Sequence, residues 1–159
     1  MTEGIVEFVG VTCAGPAFEG LALTLPGEEV WGVFRPVEVV ESVSVDGRDM
    51  IHIGNVGGAG KLLLDPISGV VWEEHGGRIN KHPVNASLDA FNRCVETLLV
   101  VLQEAYSRGE EREDEDVAIE FEQKVHEIDP LSNGVDSFWY EIRWGIAIGD
   151  FEDADFLQD

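Results

Sequence analysis

The spacing of apolar residues changes midway along the chain. In the first half they come in short runs broken by glycine, proline and aspartate; in the second half they recur every three or four residues over longer stretches. Sheet-forming runs followed by helical ones predict an α+β domain in which helices pack on a sheet. Leu21-Ala22-Leu23-Thr24-Leu25 leads into the break Pro26-Gly27, and Val30-Trp31-Gly32-Val33-Phe34 reads as a strand ending before Pro36. Val39, Glu41, Val43 and Val45 approximate an alternating strand, and Asp46-Gly47 is a two-residue hairpin signal before the partner strand Met50-Ile51-His52-Ile53. Residues 54–60 are glycine-rich and read as a break. Lys61-Leu62-Leu63-Leu64, the turn Asp65-Pro66-Ile67-Ser68-Gly69 and Val70-Val71-Trp72 then form a second hairpin, whose near-continuous apolar arms predict a central place in the sheet.

Asn85 or Ser87 is placed to cap a helix carrying Leu88, Phe91, Val95, Leu98, Leu99 and Leu102 on one face. A second helix is predicted over about residues 116–127 with Val117, Phe121 and Val125 inward, and a third after Asn133-Gly134 with Phe138, Trp139, Ile142 and Ile146 inward. Between the first two helices runs Arg108-Gly109-Glu110-Glu111-Arg112-Glu113-Asp114-Glu115-Asp116, which reads as a solvated loop or frayed helix start, with a partner contact as the other reading. Like charges and few apolar anchors predict that residues 110–116 are mobile.

Charge narrows the partners. Ten Lys and Arg stand against 32 Asp and Glu in 159 residues, a formal net charge of -22. Such a field repels nucleic acid and anionic membrane surfaces and draws in cations, so a basic protein is the best-motivated macromolecular partner; general solubility is the plainer explanation of the same charge. Neither nucleic-acid nor membrane binding is expected. With 44% hydrophobic residues the chain nonetheless has what a packed core needs. Cys13 and Cys94 are far apart and form no CxxC, so neither a disulfide framework nor a thiolate metal site is expected, and Cys94 falls on a helical apolar face. Met1-Thr2-Glu3-Gly4 begins no signal-like segment and no apolar run approaches membrane-spanning length, which predicts a cytoplasmic protein.

Two segments invite a catalytic or ligand-binding reading. Gly57-Gly58-Ala59-Gly60-Lys61 resembles the end of a phosphate loop, but Asn55 stands where the first glycine is needed, Leu62 where a hydroxyl would hold magnesium, and a strand follows instead of a helix. Glu73, Glu74, His75 and His82 are the nearest approach to a metal cluster, set against a solvated strand end. No GxSxG elbow appears and Cys13 has no identifiable base, so no cofactor, metal or catalytic residue is assigned. Core packing is expected for Trp31, Trp72 and Trp139, and partial exposure for Trp144 beside Arg143.

Taken in order, several segments resemble the SUKH superfamily of bacterial immunity proteins, and its fourth family most. Ile53-Gly54 and the glycines after it, with residues 63–72, are similar to that family's glycine bend and Asp-Pro-x-x-Gly-x-Val hairpin. Asn85-Ala86-Ser87-Leu88-Asp89-Ala90-Phe91 is similar to its Asn-x-Ser-x-x-x-Phe helix start, while Ile128-Asp129-Pro130 with Phe138-Trp139 resembles its C-terminal helices, and residues 14–26 its lead-in. The resemblance implies an antiparallel or mixed sheet of about five to six strands flanked by helices. It further implies no catalytic residues and the neutralisation of a polymorphic toxin, of nuclease or deaminase type, by direct binding, and the charge of this chain points to a basic toxin domain. Residues 1–150 would form one such domain and residues 151–159 an acidic tail. The partner-binding candidates are Glu111, Glu113 and Asp114 in the charge run, Trp144, and Glu152, Asp153 and Asp155 in the tail. The competing reading is a small-ligand or metal protein, or an enzyme, built on residues 54–61 and on residues 73–82.

Overall fold

A computed structural model describes residues 6–109, 113–132 and 137–151. An N-terminal hairpin pairs β1 (Phe8–Thr12) with β2 (Ala22–Pro26), Phe8 opposite Pro26 and Thr12 opposite Ala22. Five strands then form an antiparallel meander in chain order: β3 (Glu41–Val45), β4 (Arg48–Val56), β5 (Gly60–Leu64), β6 (Val71–His75) and the short β7 (Arg78–Ile79). Helices α1 (Leu88–Arg108) and α2 (Asp114–Ile128), a 3-10 turn at Pro130–Ser132 and α3 (Phe138–Ala147) follow. The fold is α+β as the residue pattern requires.

Local chemistry sets the hairpins and caps. Asp46 and Gly47 both take positive φ, 54° and 77°, the turn whose twist matches that of the flanking strands. In the β5–β6 turn Asp65 Oδ1 accepts from the backbone N–H of Ile67 at 3.0 Å, while Gly69 takes φ 84° to start the return strand. Ser87 accepts from Ala90 N–H at 3.0 Å to cap α1, and Ser137 accepts from Tyr140 N–H at 3.3 Å to cap α3. β5 takes the centre of the five-stranded sheet, as its apolar run predicts.

Two expected elements come out differently. Residues 30–34 form a tight turn, not a strand: Val30 and Phe34 make one antiparallel bridge around Gly32 at φ 76°. The run is apolar because Val30, Val33 and Phe34 all reach the core from that turn, whereas Trp31, expected inside, is thrown outward and is 45% exposed. Gly54 does not open a break. It lies within β4 beside a register shift between His52 and Gly54, and its missing side chain makes room for the Phe34 ring. Only residues 57–59 turn.

The core joins both halves of the chain. Ile51, Ile53, Leu62, Leu64 and Val71 of the sheet share one buried cluster with Phe91, Val95, Leu98 and Leu102 of α1, Phe121 and Val125 of α2, and Ile142 and Ile146 of α3. Through it runs an aromatic chain in which Phe34 meets Phe91 at a centroid distance of 6.1 Å and Phe91 meets Trp139 at 5.9 Å. Phe121 and Phe138 approach the same indole edge-on at 5.9 and 5.0 Å.

Both cysteines are free and buried. Burial pushes the Cys94 thiol up to about 12, with the Asn85 hydrogen bond acting the other way. The unfolded chain therefore ionises this thiol first, and stability is lost as pH rises beyond the ordinary thiol range towards about 12. A native sample at pH 8 is expected to leave both thiols unreacted with Ellman's reagent and to release two equivalents in denaturant. Rapid reaction of the folded protein would contradict the packing described.

Candidate protein-binding surface

The motif residues meet in the interior. Asn85, fully buried, donates through Nδ2 to Asp129 Oδ2 at 2.9 Å and accepts through Oδ1 from Trp139 Nε1 at 2.8 Å. Asp129 Oδ2 also accepts from Ala86 N–H at 2.7 Å, and its Oδ1 from Leu131 N–H at 3.1 Å. Asn85 O accepts from Val71 N–H at 2.9 Å, tying the node to β6. Three long-range segments are thus fastened together by one satisfied polar group set, which fixes how α1, α2 and α3 sit on the sheet. Those side chains are inaccessible to a partner, so the recognisable motif belongs to the scaffold.

What the scaffold presents lies at the C-terminal end of α3. That helix ends in a Schellman arrangement: Gly149 takes φ 86° and donates to Ile146 O at 3.1 Å, while Asp150 N–H donates to Gly145 O at 2.9 Å. The reversal folds Phe151 back over Gly145, where a Cβ would lie 3.0 Å from Phe151 Cε2. Phe151, at which the sequence places the start of the acidic tail, is buried and meets Trp31 edge-on at 5.1 Å. Trp31 is therefore held beside the end of α3, where Trp144 and the C-cap residue Ile148 are 46% and 68% exposed. Trp144 is pinned by Tyr140, edge-on at 6.2 Å, and by the Arg143 guanidinium, 5.1 Å from its ring centroid.

Acidic residues adjoin Trp31, Trp144 and Ile148 along the chain. Arg143 donates to Glu122 at 2.9 Å and to Glu115 at 2.8 Å, so its charge is matched by α2. Burial acts to lower the Arg143 pKa, but the two carboxylates outweigh it and the net shift is upward. Glu28 and Glu29 before Trp31, and Glu141 and Asp150 on α3 and its cap, are exposed. Among the expected partner residues, Glu113 is the N-cap of α2 and Asp114 its first residue, where negative charge favours the helix N-terminus. Through Glu115 and Arg143 that acidic helix start is linked to Trp144. Glu111, Glu152, Asp153 and Asp155 lie outside the described residues, as does part of the segment expected to be mobile. The sequence anticipates the exposure of Trp144 but places Trp31 inside and does not single out Ile148 or Phe151; the available signal was Gly149 just past an apolar helix, with Phe151 two residues on.

The two ligand-like segments lie side by side on β5 and β6, with Gly60 opposite His75, yet their side chains do not assemble into a ligand site. Lys61 lies exposed on β5 opposite Asn55 and Glu74, and Arg35 donates to Gly57 O at 2.9 Å. The cavity beside that turn is about 20 Å³, room for a water and not for a nucleotide. His75 Nε2 lies 2.6 Å from Glu73 Oε2, but Glu74 projects to the opposite face of β6. Among the described residues no group of three or more His, Cys, Asp or Glu is placed to hold a metal ion. None of the described helices is long and apolar enough to cross a membrane. Residues 14–144 match the family model described as SUKH-4 immunity protein. No curated protein and no solved structure matches the chain.

Proposed function

The chain belongs to the SUKH-4 immunity protein family, and from that membership we propose that it binds and neutralises a basic polymorphic-toxin domain, of nuclease or deaminase type, in the cytoplasm of the cell that makes it. The match over residues 14–144 carries this reading, and the net charge of -22 supports the basic character of the toxin. Neutralisation needs no chemistry from this chain. A tightly docked protein covers the toxin's active site, and the acidic field speeds their encounter more than it deepens the affinity. Residues 1–150 act here as one binding domain, with Glu111, Glu113, Asp114, Glu152, Asp153 and Asp155 contributing to the approach field.

Coexpression with the toxin encoded beside its gene is the test. Cells carrying both are expected to survive and to yield a complex. Raising salt from 50 to 500 mM should slow association on the order of tenfold or more and change dissociation far less. Charge reversal of Glu111, Glu113 and Asp114 should mainly lower the association rate. Unprotected cells from which no complex is recovered would sink the assignment.

A further inference from the structure

We propose that the surface formed by Trp31, Trp144 and Ile148 is where a cationic segment of the toxin docks, its arginine or lysine side chains lying over the open indole faces. The inference rests on the immunity reading above and adds to it the contact surface and the chemistry of what fills it. Ile67, 87% exposed, stands on the tip of the β5–β6 hairpin, and solitary exposed residues of that kind are ordinary. Only a contiguous patch marks an interaction surface. The shallow groove between α1 and α2, lined by Glu96, Thr97, Val100, Val101 and Lys124, includes no aromatic anchor.

The two indoles are held in place before any partner arrives. Phe151 fixes Trp31 from one side and Gly145 admits Phe151, so the turn bearing Trp31 is packed to the same helix end that carries Trp144 and Ile148. Anchors already ordered lose little freedom on binding, and tryptophan is the residue most often responsible for interface energy. Arg143, 5.1 Å from the Trp144 centroid, demonstrates that this indole accepts a guanidinium. Because Glu115 and Glu122 take up the Arg143 charge, the exposed Glu28, Glu29, Glu141 and Asp150 leave the local field negative. An apolar partner would have to desolvate those carboxylates without replacement, whereas a cationic segment pairs with them at the rim.

The test uses the full chain and the purified toxin domain encoded beside its gene. Trp31→Ala and Trp144→Ala are each expected to weaken the complex at least thirtyfold, mostly by faster dissociation, while Ile67→Ala stays within threefold of wild type. Should Trp144→Ala fold poorly, Trp144→Phe is expected to retain part of the affinity, and a measurement without mutation serves equally. On titration with toxin, the indole N–H resonances of Trp31 and Trp144 should shift while that of Trp139, buried and bonded to Asn85, stays put. Wild-type binding with both alanine variants near wild-type affinity would overturn the docking surface and leave the immunity reading standing. Indole shifts that depend on protein concentration alone would assign the patch to a second copy, and shifts on deleting residues 152–159 alone would assign it to the chain's own tail. Either result overturns the proposal. Failure of wild type to bind the toxin at all defeats the immunity reading itself.

Discussion

Asn85→Ala is expected to destabilise the protein by about 4 kcal/mol, measured as a lower urea midpoint at unchanged slope. The side chain it removes is the donor to Asp129 and the acceptor from Trp139. Trp139 Nε1–H is left without a partner in a dry interior, at about 1–3 kcal/mol, and Asp129, which keeps the Ala86 and Leu131 N–H donors, loses a hydrogen bond to a charged group worth about 1.5–3 kcal/mol. Water has no obvious route to replace the amide, because Asn85 and Trp139 are both buried within the aromatic chain. Asn85→Asp separates hydrogen bonding from volume. It keeps the shape but turns the Nδ2 donor into a carboxylate oxygen facing Asp129 Oδ2 at 2.9 Å, so at neutral pH it should be at least as damaging as alanine. A loss below about 1 kcal/mol for Asn85→Ala would mean that the node is ornamental and that the helices are placed by apolar packing alone.

That node also marks how far the sequence could be read. Periodicity located all three helices, and Asp46-Gly47 and Asp65-Pro66 located two hairpins, because those features depend on residues within a few positions of one another. The same local chemistry misjudged residues 30–34. An apolar run bounded by turn residues looks alike whether it is a strand or a tight turn whose residues all reach the core, and only the packing against β4 distinguishes them. With the turn misread, Trp31 was assigned to the interior, and half of the candidate surface disappeared with it. Trp144 was legible because the neighbouring arginine signalled the polar flank of α3. Trp31 is 113 positions away and is tied to the end of α3 through Phe151, a contact that no short pattern encodes.

Gly54→Ala tests the packing that makes this difference, with an expected cost of about 3 kcal/mol. A Cβ at this position would clash with Phe34 Cε1 and lie 2.9 Å from both Cδ1 and Cζ. Phe34 cannot retreat cheaply, being 2% exposed and packed against Phe91 on its far side. Backbone conformation contributes little to the cost, since Gly54 is an ordinary strand residue and not in the left-handed region. The clash can therefore be relieved from the other partner. Phe34→Leu alone should cost about 1–2 kcal/mol through its cavity, and in that background Gly54→Ala should cost less than about 1 kcal/mol. Strict additivity in the double variant would show that Gly54 is required for some reason other than the ring. Because Phe34 closes the turn through its bridge to Val30, with Trp31 between them, pushing the ring outward should also move that indole. Gly54→Ala is thus expected to shift the Trp31 N–H resonance in the absence of any partner and to restore it in the Phe34→Leu background, linking the least conspicuous residue of β4 to the surface on which the toxin is proposed to land.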